Sequence, residues 1–255
     1  MSISDENIFP HATGDAAVTA AAHEAPQELT FYAGWFCPFV QRSWISLEEK
    51  GIPYQYKEVN PYKKEASFLA LNPKGLVPAI EYQGKALYES LIICEFLDDA
   101  YPAAKPLLPR DPYNKAYARI WIDFINKSFI PTFMRLGMAQ TDEKRDAARA
   151  EMYATLRTYT AEAKGPYFLG EEFSLVDIAI VPWITRDYIL AEHRGYDRAA
   201  VSAEWKRYAE LVEARESVVK TKSEKDKYAD IVGRYLRGEG QSEAAKAIRA
   251  GRVIP

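Results

Sequence analysis

Four prolines fall within eleven residues, at Pro102, Pro106, Pro109 and Pro112, and they divide the chain into halves of different period. Each proline fixes its own φ and lacks a backbone donor, so neither a helix nor a central strand can run through the stretch. The density predicts a semi-rigid linker over residues 104–110 and a domain boundary there. Before it, short β-prone runs alternate with apolar-periodic ones; after it, the period is helical throughout. The fold class expected is an α/β N-terminal domain over residues 28–103 followed by an all-α domain over 111–238.

The first half reads in detail. Leu29 to Ala33 is a short strand. Cys37-Pro38 opens a helix with Val40, Trp44 and Leu47 at i, i+4 and i+7. Proline suits the first helical position, and Gly51 supplies the stop. Residues 54–59 form a second strand, so a βαβ unit with parallel strands follows. Residues 63–71 are a short helix ended by Asn72-Pro73. A strand over 76–82 is broken by Pro78, turns at Gln83-Gly84, and returns antiparallel over 85–88. Ser90 caps a helix carrying Leu91, Cys94 and Leu97. In the second half Asp111-Pro112 starts a helix that Pro131 kinks or ends, and Thr141, Ser174 and Ser202 start others. Residues 223–236 are the last helix. Residues 1–27 read as a flexible arm, since the competing reading, a short helix over Ala16–Ala22, lacks an apolar face to dock, and residues 239–255 as a polar tail with one weak helical turn.

Thirty-three basic and 36 acidic residues leave a net charge of −3, so no global field favours nucleic acid or an anionic membrane. The longest apolar run, Ile178 to Ile184, is too short to span a bilayer. No Lys or Arg precedes Arg42, so neither a signal peptide nor a transit peptide is expected, and two cysteines make no disulfide framework. A reducing cytoplasmic setting is the expectation. His11, His23 and His193 are too scattered for metal ligands, no Gly-rich phosphate loop occurs, and the lysines at 220, 222, 225 and 227 interleave with acidic residues as on a solvated face. Asn126-Lys127-Ser128 fits a glycosylation acceptor but falls in a predicted helix. Ser174 and Asp177 form a capping box between Phe173 and Ile178, a complete structural role.

Cys37 sits between a strand and a helix, where the positive end of the helix favours a thiolate. A lone cysteine is more often buried and inert, but Trp35, Phe36 and Phe39 around it are enough to shape a site. With no second cysteine in Cys37-Pro38-Phe39-Val40, a resolving thiol must come from outside. Val77-Pro78 marks either an edge strand or a cis peptide that turns the Val77 backbone toward an extended ligand. Glu89-Ser90 is either a plain helix cap or a pair that binds the ammonium and carboxylate of an amino-acid zwitterion. Lys63 and Lys64 are either solvated or hold a second carboxylate.

Phe36-Cys37-Pro38-Phe39, Gly75-Leu76-Val77-Pro78 and Tyr88-Glu89-Ser90, followed by the motif from Leu107 to Tyr113 and by Pro182-Trp183 with Arg186, resemble the cytosolic glutathione transferases, and the omega class in particular. The likeness runs from about Leu29 to Leu236. It implies a thioredoxin-like first domain, an all-helical second one, a site in the cleft between them, and a homodimer. Cys37 becomes the catalytic thiol. Phe39 borders the glutathione site, Lys64 meets the glycine carboxylate, Val77 pairs its backbone with the cysteinyl part beside cis Pro78, and Glu89 and Ser90 hold the γ-glutamyl end. Trp183 and Arg186 lie near the acceptor pocket. Pro61 stands where a Leu contact is expected, and the arm has no counterpart motif.

No cofactor is implied; glutathione is a co-substrate. The partner is a small hydrophobic or glutathionylated acceptor, with no nucleic acid and no membrane. The activity expected is thiol transfer: deglutathionylation, or reduction of dehydroascorbate or of glutathionyl ketones. For a thiol lowered from about 8.5 to about 5.5, thiolate at pH 7 rises roughly thirtyfold and nucleophilicity falls about twentyfold. Attack gains little; departure gains much, which suits a thiol that must leave when a second glutathione resolves the intermediate. The rival reading is a non-enzymatic module that binds aromatic ligands or regulates.

Overall fold

The computed structural model describes residues 9–60 and 63–252, and Pro61 lies outside them. The chain divides into two compact units: residues up to Arg110 with Arg215–Tyr228, and Asp111–Ala214 with residues from Ala229 on.

The first unit is built on a four-stranded sheet of order β2-β1-β3-β4, with β1 at Leu29–Ala33, β2 at Gln55–Glu58, β3 at Ala79–Tyr82 and β4 at Lys85–Tyr88. β1 runs parallel to β2 and antiparallel to β3, and β3 runs antiparallel to β4. Its helices in chain order are α1 (Asp15–Ala22), α2 (Pro38–Lys50), α3 (Ala66–Leu71) and α4 (Ser90–Ala100). The Gln83-Gly84 turn has both residues at positive φ, 51° and 71°, the twist that closes a two-residue hairpin. Gly51 ends α2 in the left-handed conformation at φ 60°. Phe31 packs edge to face on Tyr54 and Tyr56 in the core, Trp44 lies tilted against Phe31 and Tyr56, and the Trp44 Nε1–H donates to the Tyr54 hydroxyl at 2.7 Å.

In the second unit, α5 (Pro112–Phe124) passes through a π-helical stretch, Ile125–Phe129, into α6 (Ile130–Met138). Pro131 therefore neither ends the helix nor breaks the run; the wider turn just before it accommodates the missing donor. The helices that follow are α7 (Asp142–Ala161), α8 (Leu175–Ile184), α9 (Tyr188–Arg194), α10 (Arg198–Val201) and α11 (Ala203–Glu213). α8 is buried along its whole length. The Asp177 carboxylate anchors it, accepting from the N–H groups of Phe168 and Ser174 and from the hydroxyls of Ser174 and Tyr208, all within 2.9 Å. Burial still pushes that carboxyl up. Thr141 and Ser202 cap α7 and α11 as the sequence predicts.

Four expectations need correction. Within the presumed arm, residues 15–22 are helical: α1 buries Ala16 and Thr19, and small side chains let it lie close on α12 (Glu216–Lys220) without a large apolar face. His23 then stacks on Tyr54 at 3.8 Å, and its carbonyl accepts the Tyr56 N–H at 2.7 Å. Second, the helical half is not one continuous run, because Arg215–Tyr228 belongs to the first unit. Arg215 grips the buried carboxylate of Glu49 with two bonds, at 2.5 and 2.7 Å, and Ser217 adds a third. Burial alone would raise Glu49; Arg215, Ser217 and Lys105 overcome it and hold the carboxyl below its ordinary range. Third, the last predicted helix starts later, as a 3-10 turn at Lys225–Tyr228 and then α13 (Ala229–Leu236). Fourth, the tail contains α14 (Glu243–Arg249), capped by Ser242 and tied back by the Tyr235 hydroxyl on Ser242 at 2.7 Å.

The proline-rich stretch is anchored at one end. The N–H groups of Leu107 and Leu108 both donate to Asp98, which also pairs with the buried ammonium of Lys50 at 2.9 Å.

Candidate functional site

The first unit holds most of the positions singled out from the sequence. Cys37 is the N-cap of α2, with Pro38 at the first helical position, and its side chain is half-buried. Its N–H closes a turn onto the Gly34 carbonyl at 2.9 Å. The Cys37 thiol points at the Val77 carbonyl, 3.9 Å away, a weak sulfur contact that brings the thiol beside the Val77 backbone. The Val77–Pro78 peptide is cis. β3 begins only at Ala79, so the missing Pro78 donor falls outside the ladder. Phe39 is half-buried on the first turn of α2, with the Arg42 guanidinium 5.4 Å from its ring.

Asn72 shapes the segment that carries Val77. It is buried, donates through Nδ2 to the Leu76 carbonyl at 2.8 Å, and accepts the Lys74 N–H at 3.1 Å. Gly75 in this loop has φ 62°, and the Lys64 side chain lies 2.7 Å from where a Cβ would stand. The positive φ favours glycine there, while the flexible end of the Lys64 chain can move aside. The same contact brings the exposed Lys64 to this loop.

Glu89 is the N-cap of α4 and sits at φ 75°, a backbone conformation a non-glycine residue seldom adopts. Its exposed carboxylate pairs with the Lys74 ammonium at 2.8 Å. The site thus presents a carboxylate that already holds a primary ammonium. The pair is exposed to solvent, so a better-placed ammonium can replace it. Ser90 is not the cap the sequence suggested: it is the first residue inside α4 and is buried, and its carbonyl accepts the Ser43 hydroxyl at 3.2 Å. The physical reason is the turn at Glu89, which shifts the helix start one residue earlier.

Cys94 is fully buried, accepts the Ser46 hydroxyl at 3.1 Å, and is pushed up to about 11 by burial. Arg42 is buried as well and interacts electrostatically with both thiols; burial pushes it down to about 9, which leaves it charged at neutral pH. Sequence reasoning singled out neither Asn72 nor Arg42 nor the last residue of β2, Glu58, whose carboxylate accepts the Trp35 N–H at 2.8 Å. Asn72-Pro73 carried a turn signal that could have marked Asn72; the other two give no local signal.

Trp183 and Arg186 lie in the second unit and are buried there, at 2 % and 7 % exposure. Arg186 Nη1 donates to the Pro182 carbonyl at 2.6 Å and to the Thr185 hydroxyl at 3.1 Å, at the end of α8 where carbonyls lack helical partners. Among the described residues no group of three His, Cys, Asp or Glu could hold a metal ion, and no helix is long and apolar enough to cross a membrane.

Residues 36–100 match the family model for the glutathione S-transferase N-terminal domain, and residues 122–216 that for the C-terminal domain. The structure is similar to glutathione transferase Omega 3C from Trametes versicolor, with 63 % identity, a TM-score of 0.87, and coverage of 91 % of this chain and 100 % of that one. It is also similar to rice GST1 solved in complex with glutathione, at 30 % identity and a TM-score of 0.77, covering 84 % of this chain and 100 % of that one. Among curated proteins, glutathione S-transferase omega-1 of Sus scrofa is 37 % identical over 159 residues, 61 % of this chain and 65 % of the relative.

Proposed function

Because the chain belongs to the glutathione S-transferase family, we propose that it catalyses glutathione-dependent thiol transfer with Cys37 as nucleophile. The observation that carries the reading is Cys37 itself: a half-buried thiol at the N-terminus of α2, 3.9 Å from the backbone of Val77. A conjugating enzyme needs a hydroxyl there to stabilise the thiolate of glutathione; a cysteine can instead form and break a disulfide.

The Cys37 thiolate attacks the glutathionyl sulfur of a mixed disulfide. The S–S bond breaks, the acceptor thiol leaves and takes a proton, and glutathione stays on Cys37. A second glutathione thiolate attacks that adduct, releases Cys37 as thiolate, and departs as oxidised glutathione. One disulfide is consumed and one is formed. Glutathionyl ketones fit the same first step with the carbanion as leaving group, and dehydroascorbate is a further acceptor of this reducing chemistry.

Binding is assigned to residues around the thiol. Glu89 takes the γ-glutamyl ammonium in place of Lys74, and the start of α4 at Ser90 takes the adjoining carboxylate. The Val77 backbone pairs with the cysteinyl part beside Pro78, Lys64 takes the glycine carboxylate, and Phe39 borders the site. Trp183 and Arg186 stay assigned to the acceptor side, where their burial makes substitution a test of folding as well as of specificity. The reading extends to a cytoplasmic homodimer. A turnover assay with a glutathione mixed disulfide tests it: activity should depend on Cys37, and its persistence in Cys37→Ser would overturn the nucleophile.

A further inference from the structure

Glu58 ends β2, and its half-buried carboxylate reaches beyond its own strand. Oε1 accepts the Trp35 N–H at 2.8 Å, Oε2 accepts the Tyr56 hydroxyl at 2.8 Å, and the Ala12 N–H is a third donor. Trp35 is the second residue of the turn that the Cys37 N–H closes onto Gly34. In such a turn the N–H of the second residue takes no part in closing it. Here Glu58 takes that donor. The Trp35 ring is gripped as well: Nε1 donates to the Phe9 carbonyl at 2.7 Å, and Tyr228 packs on it edge to face at 4.9 Å.

We propose that Glu58 is a positioning residue for the Cys37 thiol, its carboxylate fixing the turn from Gly34 to Cys37 through the Trp35 N–H and tying the segment around Ala12 to the same point. Its consequence for turnover rests on Cys37 being the nucleophile; its effect on the thiol and the turn does not. Burial pushes the Glu58 carboxyl up to about 7 against the pull of its donors. The groups facing it are the Trp35 and Ala12 N–H donors and the Tyr56 hydroxyl, with Tyr54 and Tyr228 against Tyr56; burial pushes the Tyr54 and Tyr56 hydroxyls up, away from titration near pH 7. Ionised, the carboxylate accepts all three bonds. Protonated, it loses an acceptor site and its charge, so its bonds to the Trp35 and Ala12 N–H groups weaken while the new O–H turns to the Tyr56 oxygen. The turn is held most firmly above pH 7 and loosens as pH falls through that value.

Glu58→Gln keeps the size of the side chain and one acceptor oxygen. Three readouts compare it with the native protein: amide exchange over residues 34–40 corrected for intrinsic rate, alkylation of Cys37 by iodoacetamide between pH 5.5 and 8.5, and steady-state turnover with a glutathione mixed disulfide. In the native protein, protection of the Trp35 amide should fall as pH drops through about 7; in the variant it should not change with pH. The alkylation profile should lose the same inflection. kcat should fall about tenfold and KM for glutathione should stay within about twofold, as expected for a displaced nucleophile with its binding groups intact. A merely structural role would lower the melting temperature and leave both pH profiles alike. Identical pH profiles in the two proteins, or an unchanged kcat, overturn the proposal. If Glu58→Gln does not fold, Glu58→Asp, shorter by one methylene, is read by the same measurements and the same criteria. If Cys37→Ser retains turnover, the proposed function fails, and amide exchange and alkylation still decide the role of Glu58.

Discussion

The two cysteines lie on helices that pack against each other, α2 and α4, and their settings are opposite. Cys37 stands at the first boundary of its helix, half-buried, beside a carbonyl across a loop. Cys94 is the fifth residue of its helix, fully buried, with a serine hydroxyl on its sulfur. A helix favours a negative charge only at its first turn, where N–H groups lack partners. One turn further on, those donors are used and burial dominates. The same side chain thus stands half-exposed at a helix start in one position and packed in the core in the other, and the buried charge of Arg42 does not reverse this for Cys94.

The largest test of this contrast is exchange of each thiol for a hydroxyl. Cys37→Ser should lower thiol-transfer turnover by roughly 10³-fold or more, as removal of a nucleophile does, while the dissociation constant for glutathione changes little. Cys94→Ser should leave turnover within about twofold and cost about 1–3 kcal/mol of stability, the penalty for a more polar buried group, read by chemical denaturation. A Cys94→Ser variant that loses activity while fully folded would break the comparison.

Labelling the native protein sharpens it next. Oxidised glutathione should add one glutathionyl group, at Cys37, removable by reductant, as peptide mapping can establish. A thiol held near 11 is ionised about once in a thousand molecules at pH 8. Cys94 should therefore react only after unfolding, and label on Cys94 under native conditions would contradict its assigned setting.

Glu89→Gln separates binding from thiol chemistry. The Glu89 carboxylate is exposed, and an exposed ion pair is weak, so glutathione affinity should fall by about two- to fivefold while the alkylation rate of Cys37 holds. Calorimetric titration with glutathione checks this, and an unchanged affinity counts against the ammonium site.

The last effect is on stability against pH. The native Glu58 carboxyl is raised to about 7, above its ordinary range, so the folded protein holds a proton that the unfolded chain has already released. Stability should then fall as pH rises from about 4.5 to about 7. The ionised form makes the better hydrogen bonds and is still the costlier form to bury. Relative to Glu58→Gln, the native protein should lose of the order of 1–2 kcal/mol across that window, measured by denaturation at pH 5 and 7.5. A difference of the opposite sign would show that the fold favours the ionised carboxylate, and would overturn the raised titration from which the pH dependence of the turn follows.

Much of the molecule was legible in the order of its residues. The strand and helix sequence around the thiol, the parallel and antiparallel pairings, and the starts at Thr141, Ser174 and Ser202 follow from local rules of period and capping. The site positions were legible as residue types at chain junctions: Cys37 before a proline, Val77 before another, Glu89 at the end of a strand. The cap position was misread because a cap residue and a first-turn residue differ by one position, and the positive φ of Glu89 that decides between them has no mark in the residue type.

What the sequence determined by itself is the local frame: where each helix can start, where the hairpin must turn, and that a thiol stands where a strand gives way to a helix. Tertiary structure alone decided which distant groups complete that frame. Thr13 and Ser223 bond across 210 positions, Arg215 and Glu49 across 166, and Glu58 reaches the turn before Cys37 from a neighbouring strand. Periodicity reports that a face is buried, not what buries it. A carboxylate's role depends on the donors brought to it, and those are chosen by how the chain returns through space.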